Sequence, residues 1–288
     1  MGLRRRFAVL LFVISFAGCG GSNQPSNADS SSSLPASRSL GDNIDVLAQT
    51  EMHQSRIPGM VVAIAKNRVM LYVRGYGISN LSTARPVAPT DVFEIGSLTK
   101  QFTAALIMKL QEQGRLNLDD SVATYLPDYG FPAAITIRML LTHTSGLANF
   151  TDFPEFAQWM IQGVSQPVVL SEINHAALQF QPGTQYAYSN SNFYVLGSLV
   201  EKVTGQSFAA NLEQYILGPL ALQNTYYDLP PSSAAASGYG VGAGGPVPAI
   251  IWDRSAAFAA GAMSSNVYDL VAWDSALISG RVVSSASF

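Results

Sequence analysis

Ser97-Leu98-Thr99-Lys100 sets a hydroxyl and an amine three positions apart, a spacing that puts both on one face of a helix and within reach of each other. A serine hydroxyl is a poor nucleophile until a neighbouring group takes its proton, and the lysine amine is such a group. Beginning 88 residues after the lysine, Tyr188-Ser189-Asn190 offers a phenol and a carboxamide from a second segment. The two motifs together point to acyl transfer through a covalent serine ester.

Each motif also has a plainer reading. Serine is abundant here, so Ser-x-x-Lys can be a helix cap followed by a solvated lysine one turn later. Against that stand an apolar helix, the cost of placing a lysine inside it, and the rarity of lysine in this chain. A serine at a helix start also meets free backbone N–H groups and the positive end of the dipole, both of which favour an oxyanion. Tyr-Ser-Asn triplets are common in loops. Here Pro182-Gly183 precedes the triplet and a helical pattern follows, which places it on a turn whose side chains can point into a cleft. A tyrosine beside a lysine is expected to have its pKa lowered toward the range of a general base.

The elements that must carry these residues follow from periodicity. Phe102, Leu106 and Leu110 recur at i+4 spacing in a predicted helix from Ser97 to Gln113, with Gly114 as its stop. Ile44, Leu47 and Met52 predict an amphipathic helix over 42–56. Two β-rich runs, Val61–Ala65 and Val69–Tyr76, flank Lys66-Asn67-Arg68 and read as a hairpin, its second strand ending or bending at Gly75 and Gly77. Further helices are predicted over 137–141, 156–161, 172–180, 192–203 and 265–277, with Gly205 closing the fourth of these. The stretch 238–245 reads as a glycine-rich loop. Strands near the ends with helices between predict an α/β fold of α+β type: an antiparallel sheet domain flanked by helices, with an inserted, mostly helical domain.

The remaining sequence bounds the setting. Of 288 residues, 48% are hydrophobic and 12% charged, so the chain buries a substantial core. The net charge of −3 becomes about −6 once Arg4, Arg5 and Arg6 are set aside, leaving no electrostatic footprint for nucleic acid. Those arginines, the apolar run Phe7–Phe16 and Ala17-Gly18 before Cys19 read as an export signal over 1–18. Small residues before the only cysteine resemble a bacterial lipobox, from which Phe16 departs, and make Cys19 the candidate lipidation site and membrane anchor. Residues 19–41 have the composition of a flexible Gly/Ser-rich tether to a folded domain over 42–288. A lone cysteine excludes an intramolecular disulfide.

The order and spacing of the two motifs, with the text around them, resemble the serine β-lactamase and penicillin-binding-protein-like family. The resemblance is strongest to its branch of class C β-lactamases, D-alanyl-D-alanine carboxypeptidases and related esterases. The matching segments include Phe93–Gly96, Gly114–Asp120, Ile135–Leu147, Gly218-Pro219-Leu220 and Ala260–Ser265 followed by Asp269-Leu270. The resemblance implies Ser97 as nucleophile, Lys100 as its activating amine and Tyr188 as a second proton-transfer group. Asn190 would hold the lysine and the substrate amide or ester. No cofactor and no metal are implied. It also implies a third motif, a Lys- or His-containing Thr-Gly or Gly-Gly segment on a downstream strand, and no such segment follows Gly261. The expectation is therefore a sheet lacking its C-terminal strands, with the hairpin left without neighbours. The abrupt end at Phe288 favours a fragment over a degenerate copy.

Competing motifs are weaker. No Gly-x-Ser-x-Gly elbow is present. His143, beside Thr144-Ser145-Gly146, could serve a Ser-His-Asp site, but a structural histidine at a helix end is the commoner outcome. His53 and His175 lack partners at metal-ligand spacing, and Gly240-x-Gly242-x-x-Gly245 follows no strand. The expected protein is an exported, envelope-located, lipid-anchored serine hydrolase acting on a small-molecule or peptidoglycan-peptide substrate. Peptidase, β-lactamase and esterase all stay open, as does the oligomeric state. The alternative is a tethered, vestigial module that binds peptidoglycan peptides without turnover.

Overall fold

The structure, a computed structural model, describes residues 39–227 and 230–287. The expected signal over 1–18, Cys19 and the tether up to residue 38 lie outside them. The chain divides into two compact units: one holds the residues up to Asp91 together with Tyr239–Pro248, the other Val92–Gly238 and Ala249 onward.

The first unit opens with helix α1 (Leu40–Ser55). It starts two residues before the predicted boundary, inside the expected tether. The reason is a capping box: the Ser39 hydroxyl accepts from the Asp42 amide while the Asp42 carboxylate accepts from the Ser39 amide. Strands β1 (Gly59–Lys66) and β2 (Val69–Asn80) form the predicted antiparallel hairpin, pairing from Gly59 opposite Gly77 to Lys66 opposite Val69 with a register shift between Ile64 and Ala65. Asn67 and Arg68 turn the chain with φ of 51° and 66°, the left-handed pair a tight two-residue hairpin demands.

β2 does not end at its glycines. They mark close backbone approach instead: a Cβ on Gly75 would lie 2.4 Å from the Val87 carbonyl oxygen, and one on Gly77 2.2 Å from that of Pro58. Nor is the hairpin without a neighbour, because β3 (Arg85–Pro86) pairs with the end of β2. The predicted glycine-rich loop is a second hairpin, β5 (Tyr239–Gly242) with β6 (Gly245–Pro248). Pro246 and Pro248 fit there because a two-stranded ribbon leaves each strand one edge with no ladder bond to make.

The second unit is mostly helical, with β4 (Phe93–Glu94) and β7 (Ser264–Ser265) paired antiparallel. Its helices are α2 (Thr99–Glu112), α3 (Val122–Tyr125), α4 (Ile137–Leu141), α5 (Phe156–Gln162) and α6 (Gln166–His175). They continue with α7 (Asn190–Thr204), α8 (Phe208–Leu212), α9 (Gly218–Leu220), α10 (Phe258–Gly261) and α11 (Val267–Ile278). A π-helical turn, Glu213–Leu217, joins α8 to α9.

Phe102, Leu106 and Leu110 of α2 are buried in one core with Val195, Leu196 and Leu199 of α7. Each such side chain contributes about 1.5–3 kcal/mol on burial. Phe102 also stacks on Trp273 of α11, with ring centroids 4.1 Å apart. α6 differs from the predicted 172–180. It begins after Ser165 with Pro167 in its first turn, and the chain is extended from Ala176.

Candidate active site

Ser97 sits in a single 3₁₀ turn, Gly96–Leu98, that feeds into α2, and it is exposed. One turn on, Lys100 is 7% exposed. Its Nζ lies 3.1 Å from Ser97 Oγ, 2.9 Å from Asn190 Oδ1 and 2.6 Å from the Ala260 carbonyl oxygen. An ammonium would donate to all three. A neutral amine has only two hydrogens, and with Asn190 and Ala260 accepting them its lone pair faces the serine hydroxyl. Burial pushes the Lys100 pKa down to about 7, so the neutral form is within easy reach.

The buried face of α2 is zipped to the segment around α10 through main-chain groups. Thr99 Oγ1 accepts from the Met263 amide at 3.1 Å, and Thr103 Oγ1 donates to the Ala259 carbonyl at 2.7 Å. Lys100, between them, donates to Ala260. α7 holds α10 from the other side. Gly197 is needed there, because a Cβ would come 2.2 Å from that of Ala259. Phe258 begins α10 with φ of 40°, uncommon for a bulky residue, and its ring packs against Tyr194 and Phe208 at 5.0 and 5.3 Å.

Tyr188 OH lies 2.8 Å from Ser97 Oγ, and its ring lies 5.0 Å below the Lys100 ammonium. The phenol is carried by a segment laid against the turn after α4. The Gln179, Gly183 and Ala187 amides donate to the Gly146, Thr144 and His143 carbonyls at 2.8, 2.8 and 3.0 Å. A Cβ on Gly146, whose φ is 78°, would meet the Phe180 carbonyl at 2.2 Å. The expected lowering of the Tyr188 pKa does not occur. Burial raises it, only partly opposed by the hydrogen bond with Ser97. The phenol stays protonated, and the proton acceptor poised near neutrality is Lys100.

Asn190 opens α7. Its amide N–H donates to Asn149 Oδ1 at 2.9 Å and its Nδ2 to Thr151 Oγ1 at 3.2 Å. Asn149 Nδ2 also donates to Thr151 Oγ1, at 2.7 Å. These bonds turn the carboxamide so that its oxygen faces Lys100. Ser97, Lys100, Tyr188 and Asn190 thus form one hydrogen-bonded cluster, while Cys19 lies outside the described residues. His143 sits beside the cluster but hydrogen-bonds to Ser189 of the second motif and to Asn192 rather than to Ser97. His53 is on α1 and His175 ends α6. Among the described residues no three His, Cys, Asp or Glu side chains converge as metal ligands.

Sequence reasoning missed the Ala260 carbonyl, Asn149 and Thr151. A backbone acceptor leaves no mark in residue types, although the Ala260–Ser265 text had stood out as part of the resemblance. Asn149 and Thr151 followed the equally noted Ile135–Leu147 segment and carried no signal of their own.

The Beta-lactamase family profile matches residues 44–287. The chain belongs to the beta-lactamase family. Among relatives of this beta-lactamase-family chain, Protein flp of Staphylococcus aureus (strain MW2) is 29% identical over 244 residues, covering 80% of this chain and 47% of that protein. The chain therefore spans about half the length of the curated relatives it matches first. The octameric penicillin-binding protein homologue from Pyrococcus abyssi superposes with a TM-score of 0.76 at 27% identity, covering 86% of this chain and 59% of that one. D-amino acid amidase from Ochrobactrum anthropi SV3 gives 0.75 at 26% identity, covering 85% and 72%.

Proposed function

We propose that this protein is a serine hydrolase that opens amides, esters or β-lactams through an acyl-enzyme on Ser97. The observation that carries this is the buried Lys100 amine, 3.1 Å from an exposed Ser97 Oγ, with its other two polar contacts taken by Asn190 and Ala260. Neutral Lys100 takes the Ser97 proton as Oγ adds to the substrate carbonyl. The tetrahedral adduct collapses as the carbonyl bond to the leaving nitrogen or oxygen breaks. Tyr188 supplies the proton to the leaving group and recovers one from the Lys100 ammonium, so the first half-reaction ends with both groups as they began. Water then hydrolyses the ester on Ser97. Asn190 keeps one Nδ2 hydrogen beyond its bond to Thr151 with which to hold a substrate carbonyl.

Amides are favoured as one substrate class by the likeness to an amidase, and β-lactams by that to a penicillin-binding protein homologue. The signal-like residues 1–18, Cys19 and the polar stretch that follows support export and a lipid anchor, with the hydrolase domain following the tether in the cell envelope. A fluorescent penicillin or fluorophosphonate probe should label the full-length protein covalently, with the adduct on the Ser97 peptide in mass spectrometry. Ser97→Ala should label at least about 10³-fold more slowly. Equal labelling of that variant would remove Ser97 from the mechanism. Muropeptide binding with no adduct would favour the non-catalytic module instead.

A further inference from the structure

His143 lies in the turn after α4 with φ of 57° and is buried. Its ring packs against Tyr188, centroid to centroid 4.6 Å, and against Phe193 at 5.2 Å. Its Nδ1 faces two donors. One is the Ser189 backbone amide at 3.2 Å, which can only donate. The other is Asn192 Nδ2 at 3.0 Å. The Ser189 N–H requires a lone pair on Nδ1, so Asn192 must meet the same nitrogen with its amino group; its Oδ1 then accepts from the Ser145 hydroxyl at 2.5 Å, and Ser145 Oγ accepts from the Leu147 amide at 3.1 Å. Hydrogen bonds therefore run one way into Nδ1, which must be unprotonated, and the ring proton sits on Nε2.

We propose that His143 is a positioning residue for acyl transfer at Ser97. As the Nε2–H tautomer it pins the Ser189 amide through Nδ1 and backs the Tyr188 ring, holding the phenol at Ser97 Oγ. This inference rests on the acyl-enzyme reading above. A proton on Nδ1 would set an N–H against the Ser189 N–H and swing the segment that carries Tyr188. The surroundings oppose that proton: burial and the nearby Lys100 charge push the His143 pKa down to about 4. The other titratable groups packed on the ring are the phenols of Tyr186 and Tyr188.

The test uses two variants that both tolerate a left-handed backbone. His143→Asn places its Oδ1 near the position of Nδ1, whereas His143→Gly offers no acceptor. With a fluorescent penicillin, His143→Gly should lose tenfold or more in the first-order acylation step at Ser97, with half-saturation changed less than twofold. His143→Asn should recover most of that loss. Thermal unfolding is followed alongside. In the unmodified protein, side-chain ¹⁵N–¹H correlation should show one of the three histidines with Nδ1 unprotonated and Nε2 protonated from pH 5 to 8. A protonated Nδ1 on His143 overturns the inference without any variant. So does a His143→Asn protein that acylates as slowly as His143→Gly. A wild type that forms no Ser97 adduct overturns the acyl-enzyme reading and the role of His143 with it. A wild type that forms the adduct at a rate His143→Gly matches overturns the role of His143 alone.

Discussion

Lys100 is useful because it is uncomfortable. A lysine taken out of water gives up its proton more readily, and the pKa of about 7 puts its charge change at the working pH of most enzymes. If, as proposed, acylation of Ser97 needs the neutral amine, its rate should climb with pH and level off above an apparent pKa near 7, as stopped-flow labelling from pH 5 to 9 would show. The same shift enters stability. Between about pH 7 and 10.5 the unfolded chain carries a proton on this lysine that the folded chain lacks. The contribution of Lys100 to unfolding free energy therefore rises with pH across that window by about 1.4 kcal/mol per unit, and below it the lysine is a fixed penalty. In urea titrations from pH 7.5 to 9.5, Lys100→Met should lose that slope while abolishing acylation. At this scale the identity of the polar groups was legible: Ser97 and Lys100 are one helical turn apart, and Tyr188 and Asn190 flank a single residue. What the residues could not reveal is direction. Nothing in Tyr188-Ser189-Asn190 says that burial raises the phenol's pKa, or that Asn149 and Thr151 turn the carboxamide oxygen toward Lys100.

Elements position these groups by close approach rather than by strong bonds. α10 reaches α2 only because α7 presents Gly197, where the ideal Cβ would sit 2.2 Å from Ala259 Cβ and 2.6 Å from Phe258 Cε1. Gly197→Ala should destabilise the protein by about 1–3 kcal/mol through overpacking, although alanine is the better helix former. It should also slow acylation several-fold, because the Ala260 carbonyl moves with α10; circular-dichroism melts and labelling rates check the two effects separately. α2 was legible because Phe102, Leu106 and Leu110 repeat along one face and Gly114 follows. α6 was misplaced by six residues because the apolar pattern of its end outweighed Ser165 and Pro167, which mark its beginning. The β5–β6 hairpin was unreadable because glycine and proline dominate it, and strand pairing there depends on the partner strand rather than on residue preference.

For the molecule as a whole, the chain belongs to the beta-lactamase family and divides into two compact units. The text that carried the resemblance runs through residues 93–270, and the family match spans 44–287. Localisation rests on residues 1–38 alone. Metabolic labelling with a palmitate analogue should mark the wild-type protein in bacterial cells and fail on Cys19→Ser, which should then leave the membrane fraction; unchanged labelling would exclude the anchor. One further consequence lies in the chain separations within the site. Lys100 bonds to Asn190, 90 residues on, and to Ala260, 160 residues on. Loop closure over such spans is slow compared with forming α2 itself. The amine can therefore lose its water, and its proton, only after both distant segments have docked. On the proposed mechanism, Ser97 should therefore stay unlabelled during refolding until the segments carrying Asn190 and Ala260 have both docked on Lys100.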